Sequence, residues 1–187
     1  LKTVYNIQPG EIDLPTFPLF ALFAPALVMT AVIPEMDFTR PGSVDPENII
    51  GAITTHNVTT MFGSPALINR VSRYGAEHGI KLPTLKRVIS AGAPVPAVVM
   101  ERFSQMLAED VEIFTPYGAT ESLPVCSIGS AEILGETSKI TEQGGGVCIG
   151  RPVASIRAEI IRITDEPITT WDESLKVADG EVGEIVV

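Results

Sequence analysis

The chain has 187 residues, 45% hydrophobic and 6% aromatic, which is enough apolar material for one domain with a mainly aliphatic core, or a large part of one. Thirteen Lys and Arg against 23 Asp and Glu leave a formal charge of −10, which argues against a nucleic-acid partner, because phosphates need a cationic face. Two cysteines, Cys126 and Cys148, and two distant histidines form no Cys-x-x-Cys pair and no metal-ligand cluster, and a reduced, cytoplasmic setting is the simplest reading.

Residues 14–34 carry no charge, a run long enough to raise a membrane-spanning helix. Pro15, Pro18, Pro25 and Pro34 break such a helix, and no basic segment precedes the run as in a signal peptide. It reads instead as a buried strand at 13–17, a buried helix near 20–30 and a short strand at 31–33. After a polar loop, Asp45-Pro46-Glu47 forms a helix start: Asp caps, Pro suits the first position and Glu favours the dipole. That helix is expected to run to about residue 55. A strand at 58–62 follows. Ser64-Pro65 opens a helix with Leu67, Ile68 and Val71 at helical spacing, ending near Gly79. Residues 85–90 read as a strand with a turn at Gly92, and Pro96 opens a helix with Val99, Phe103, Met106 and Leu107 on one face. The apolar run 111–114 is the next strand, followed by a turn carrying Gly118. This alternation predicts an α/β fold: a layered, mostly parallel sheet flanked by helices.

Beyond Pro124 the pattern loosens. Residues 128–146 read as a flexible loop, and Gly144-Gly145-Gly146 is no Walker loop, since no Lys-Ser or Lys-Thr follows. Alternation over 155–163 predicts a half-exposed strand, 165–170 a turn, and 180–187 another strand. The expected organisation is an α/β part over 1–124 and the start of a small β-rich subdomain over 125–187. The chain closes inside that last strand-like run, as expected of a piece of a longer protein.

The stretch Thr115-Pro116-Tyr117-Gly118-Ala119-Thr120-Glu121-Ser122 places an aromatic face, a hydroxyl and a carboxylate at the C-terminal edge of a sheet, where open α/β sheets bind ligands. Together they would suit a magnesium-nucleotide. The same residues suit a strand end, a turn and a capped helix start, and spacing alone leaves both readings open.

Tyr117-Gly118-Ala119-Thr120-Glu121 resembles the Tyr-Gly-x-Thr-Glu signature of the adenylate-forming superfamily, which includes acyl-CoA synthetases, luciferases and peptide-synthetase adenylation domains. Ser90-Ala91-Gly92-Ala93-Pro94 resembles the small-residue turn ahead of that signature. Gly146-Val147-Cys148-Ile149-Gly150-Arg151-Pro152 and Gly180-Glu181-Val182-Gly183-Glu184-Ile185 resemble two later motifs, so the likeness spans nearly the whole chain. It implies attack of a carboxylate on the α-phosphate of ATP, giving an acyl-adenylate and pyrophosphate. Glu121 would hold Mg2+, Thr120 would bond the α-phosphate, and Tyr117 would stack on adenine against Gly92, Ala93 and Pro94. Gly118 and Ala119 would floor the acyl channel, and His56, Phe62 and Gly63 would line the acyl pocket. Each has an ordinary alternative: a solvated carboxylate for Glu121, a turn contact for Thr120, a core aromatic for Tyr117.

The implied cofactors are ATP and Mg2+, with coenzyme A a candidate co-substrate and a carboxylic acid, fatty by the apolar 14–33 segment, as the partner. The run from Leu14 to Phe23 also looks like the olefin-pathway ligases, which close a β-hydroxy acid into a β-lactone. Ala21 stands where many family members carry a His or aromatic residue, so a gating histidine is not expected. The family's Lys-bearing phosphate loop, ribose motif and mobile C-terminal domain are not among these residues, so the piece alone is expected to have little activity. A non-catalytic nucleotide- or acyl-binding module and a membrane-associated fragment are the competing readings.

Overall fold

Parallel strands need long crossovers, and here helices supply them. The computed structural model describes residues 1–119 and 121–187. Strand β1 is Ile12–Pro15. The apolar run after it makes a 3-10 segment, Pro18–Leu22, and one short helix, α1 (Phe23–Ala26), before β2 (Thr30–Ala31). The helix expected near 20–30 is thus broken up: Pro18 and Pro25 donate no backbone hydrogen bond, and Val28 takes a positive φ of 61°. Among the described residues no helix is long and apolar enough to cross a membrane.

The next crossovers form where side chains cap them. In α2 (Pro46–His56) the Glu47 N–H donates to the Asp45 carboxylate at 3.0 Å, and Asn57 closes the helix in the left-handed conformation. After β3 (Thr60–Phe62) comes α3 (Pro65–His78). There the Leu67 N–H donates to Ser64 Oγ at 3.3 Å, and Gly79 forms the left-handed cap. Then follow β4 (Arg87–Ile89), α4 (Ala97–Ser104), β5 (Glu112–Ala119) and β6 (Ser122–Gly129). Residues 130–142 are helical: α5 (Ser130–Glu132), a π-helical turn Ile133–Thr137, and α6 (Ser138–Glu142). Strands β7 (Arg151–Pro152), β8 (Glu159–Ile161) and β9 (Glu184–Val186) follow.

The main sheet has the order β2-β1-β3-β4-β5-β6-β7, parallel through β5, with β6 and β7 antiparallel; β8 and β9 form a separate antiparallel pair. Two expectations change. The strand expected at 111–114 runs on to Ala119, because β6 folds back on it, with Tyr117 opposite Cys126 and Ala119 opposite Ser122. The loop expected over 128–146 is mostly helical, held where Ile133 and Leu134 pack against the core. A boundary near residue 125 would cut β6; the main sheet continues to Pro152.

Strand alternation divides the interior into two layers. Leu14, Met61, Val88 and Ile113, one from each of four neighbouring strands, are fully buried beneath α2, α3 and α4. The other face carries Ile89 with Tyr5, Ile7, Ala24 and Met29. This second face also holds buried charge. Arg87, 6% exposed, donates to both carboxylate oxygens of Glu11, to Thr60 Oγ1 at 2.7 Å and to the Asn6 carbonyl at 3.2 Å. Burial pushes the Glu11 carboxyl up. The Arg87 hydrogen bonds and charge, the Thr60 hydroxyl and Lys86 outweigh it and hold the carboxyl below its usual range. Asp13, 8% exposed, is pushed by burial to about 7, with the Leu14 N–H and the Arg87 charge opposing.

Two stability predictions follow from this face. Arg87→Ala leaves the Glu11 charge buried without its partner and should cost about 3–5 kcal/mol in urea unfolding. Asp13 acts in the opposite sense to an ordinary paired carboxylate. Above pH 3.8 the unfolded chain releases its proton, while the folded chain keeps it until about pH 7. The folded state therefore binds more protons in that window and loses stability as pH rises through it. Relative to Asp13→Asn, the wild type should lose about 4 kcal/mol, roughly three pH units at ~1.4 kcal/mol each, between those limits. Parallel pH profiles of the two proteins would reject the assignment.

Candidate functional site

Every βα connection leaves its strand at the same edge of a parallel sheet, so side chains distant in sequence gather there. Beyond β1 lie Thr16 and Phe17, beyond β3 Ser64, beyond β4 Ala91 and Gly92. With Phe62 of β3, Gly118 and Ala119 of β5, and Glu121 and Leu123, they surround one cavity of about 730 Å³. Thr16 pins the rim: its N–H and its hydroxyl both donate to the Phe62 carbonyl, at 3.1 and 2.7 Å.

The wall is aromatic. Phe17, Phe20, Phe23, Phe38 and Phe62 line it, five of the chain's seven phenylalanines. Phe20 is central, with its ring 4.1 Å from Phe62, 5.5 Å from Phe17 and 5.4 Å from Phe23. Of these the sequence reading named only Phe62 singly, and took Phe17, Phe20 and Phe23 as part of the apolar 14–33 segment. The missed signal is the spacing of three between Phe17, Phe20 and Phe23, which eclipses side chains on one face of a 3-10 segment.

The β5–β6 hairpin brings the acid. Glu121 is exposed between the two strands and faces the cavity. No group of three or more His, Cys, Asp or Glu gathers among the described residues to hold a metal alone. That suits Mg2+ better than a cation needing an all-protein cage, since Mg2+ takes one or two carboxylates and completes its shell with phosphate oxygens and water. Gly118 lines the cavity with its backbone. A Cβ there would run into the Ser122 carbonyl and come within 3.2 Å of Leu123 Cα, so the glycine serves the close approach of the two hairpin strands. Gly92 differs: a Cβ would meet nothing within 4 Å, but its φ of 94° lies where L side chains are strained.

The remaining candidates divide. A second cavity of about 350 Å³ lies between the start of α4 and the helical segment after β6, and its walls include Pro94, Thr115, Val147 and Cys148. Strand alternation puts Tyr117, 38% exposed, on the same face as Thr115. Ala93 is exposed between Gly92 on one cavity and Pro94 on the other. Thr120 lies outside the described residues. Two residues stand away from the large cavity. His56 is exposed at the end of α2, which returns the chain to the start of β3; it sits at the opposite edge of the sheet from the cavity. Gly63 follows Phe62 and faces the other way: a Cβ there would press on Met61, Leu67 and Ile68 at 3.2–3.4 Å, inside the core.

Comparison with known proteins gives the following. A family model described as AMP-binding enzyme matches residues 16–187. An olefin beta-lactone synthetase of Stenotrophomonas maltophilia (strain K279a) is 48% identical over the whole chain, which covers 33% of that protein. A long-chain-fatty-acid–CoA ligase of Thermus thermophilus is 28% identical over 86% of the chain and 29% of its own length. The chain therefore spans about a third of these curated relatives. Among solved structures, O-succinylbenzoate coenzyme A synthetase from Bacillus subtilis in complex with AMP superposes with a TM-score of 0.68 at 18% identity, over 98% of this chain and 33% of that one. At that identity the likeness concerns the fold.

The hairpin geometry yields a prediction. Gly118→Ala should force the β5 and β6 backbones apart and lower stability by about 1–3 kcal/mol, whereas Ala119→Gly should cost less than about 1 kcal/mol. Thermal unfolding of the two variants would check the order, and equal losses would contradict the close-approach role.

Proposed function

Because the chain belongs to the AMP-binding enzyme family, we propose that it forms the acyl- and nucleotide-binding edge of an adenylate-forming ligase that activates a fatty acid with ATP. One observation carries the reading: a phenylalanine-walled cavity opens onto Gly118, Ala119 and Glu121 of the signature hairpin. Its walls offer an apolar tail the phenylalanines and a metal-bound phosphate the Glu121 carboxylate. A carboxylate oxygen of the acid attacks the α-phosphorus of ATP. A new P–O bond forms, the bridging P–O bond to the β-phosphate breaks, and pyrophosphate leaves. Glu121 would hold Mg2+, which supplies charge neutralisation at the phosphates. Tyr117 would stack on adenine across the smaller cavity from Pro94, with Gly92 and Ala93 between the two cavities. Thr120 would bond the α-phosphate, a role taken from the signature alone.

The relatives at 48% and 47% identity, both named olefin beta-lactone synthetase, support a β-hydroxy fatty acid as substrate. In that second step the β-hydroxyl oxygen attacks the acyl carbonyl carbon, a four-membered ring closes, the hydroxyl proton is lost and AMP departs. The CoA-ligase relatives, at lower identity, support thioester formation with coenzyme A instead. The free thiols Cys126 and Cys148 suit a reducing, cytoplasmic setting. The main sheet reads as the α/β part of the domain and the β8–β9 pair as the start of a β-rich subdomain.

The test is acid-dependent ATP–pyrophosphate exchange by the full-length protein, with long-chain and β-hydroxy acids and no coenzyme A. Glu121→Gln should lower exchange at least about 100-fold, in line with loss of one preorganised charge-stabilising group. Exchange with no acid in the panel would favour a binding module over an enzyme. This chain alone should show little or none.

A further inference from the structure

We propose that Phe20 sets the longest acyl chain this site accepts; the inference rests on reading the large cavity as the acyl site. A second, narrow cavity of about 50 Å³ lies behind the first. Leu1, Phe20, Phe23, Phe62 and Leu123 stand in the walls of both, so these residues form the partition. The Phe20 ring lies 4.1 Å from Phe62 at 54°, the shortest of the aromatic contacts along this wall.

The two halves of the partition are held differently. Phe62 belongs to β3 and packs against the buried cluster of Tyr5, Ile7 and Met29. Phe20 sits in the 3-10 segment Pro18–Leu22, which buries no residue of its own, and it joins neither core cluster. Its ring neighbours besides Phe62 are the half-exposed Phe17 and Phe23. Phe20 is therefore a wall residue whose removal opens space without emptying the core.

The narrow cavity has its own end. Its lining is apolar except for Thr60 and Asp13, and Asp13 is buried, at 8% exposed. A methyl-terminated chain passing Phe20 gains apolar contact until it meets that carboxyl, where burial of a polar group against hydrocarbon opposes it. Phe20 is the first stop and Asp13 the second.

The experiment is the chain-length profile of acid-dependent pyrophosphate release by the full-length protein over a homologous series of saturated acids. Phe20→Ala should move the optimum to longer acids, with kcat/KM rising about fourfold for each newly buried methylene. Phe20→Trp should move it to shorter ones, and Phe20→Leu should show a smaller lengthening if the alanine variant folds poorly. Adding Asp13→Leu to Phe20→Ala should extend the profile further. A profile that only scales down uniformly in these variants overturns the proposal while leaving the acyl site intact. A wild-type protein that turns over no acid of the series overturns the underlying acyl reading instead.

Discussion

The guanidinium of Arg87 is the constraint on which the rest of the sheet depends. A buried cation is tolerated only when its donors are used, and here they are spent on three separate parts of the chain. Glu11 precedes β1, Thr60 belongs to β3, and the Asn6 carbonyl lies in the N-terminal segment. The same residue sits in a row running straight across four parallel strands: Asp13 opposite Thr60, Thr60 opposite Arg87, Arg87 opposite Glu112. A slip of one residue in any of these strands would turn Arg87 or its partners to the aliphatic face. With the row held, Phe62, Ile89 and Phe114 stand level two residues further on. Strand β5 runs on past that level, which carries Gly118 beyond Phe62 to the cavity.

That cavity is bounded by unlike chemistry for a structural reason. The parallel part of the sheet delivers helix and 3-10 starts to its C-terminal edge, and these contribute phenylalanines and small residues. The antiparallel β6 interrupts the pattern. It turns the chain back over β5 and leaves Glu121 at the turn, where a carboxylate stays solvated. Gly118 makes the return possible, since only a residue without Cβ lets the Ser122 carbonyl approach. Asp13 is the exception to the division. Its carboxyl, pushed to about 7 by burial, stands at the end of the apolar interior.

What was legible in the sequence was local. Asp45 before Pro46, Ser64 before Pro65 and Gly79 after α3 act within four residues of themselves, and each caps as its chemistry predicts. The strand–helix alternation was legible for the same reason, and the signature motif by its resemblance, but not the hairpin that carries it. What could not be read depends on partners far away. Strand β5 is eight residues long because β6 pairs with it. Residues 130–142 are helical because Ile133 and Leu134 find the core. His56 looked near the pocket along the chain, but α2 had carried it to the far edge of the sheet. Phe62 and Gly63 are adjacent yet serve opposite faces, a fact of the pleat.

Charge bears on how much of an adenylation site these residues could supply. The chain is acidic overall, and neither the large cavity nor the one beside Pro94 has a lysine or arginine among its described lining residues. A nucleotide triphosphate cannot settle against such walls unaided, because unbalanced phosphate charge beside carboxylates is repelled at close range. On the adenylation reading, Mg2+ at Glu121 would meet part of that demand, and cationic groups from outside these cavity walls would meet the rest. The aromatic wall asks for no such help, since burying a hydrocarbon tail is favourable by itself. On that reading these residues could supply the whole acyl end, while the phosphate end would need further cations.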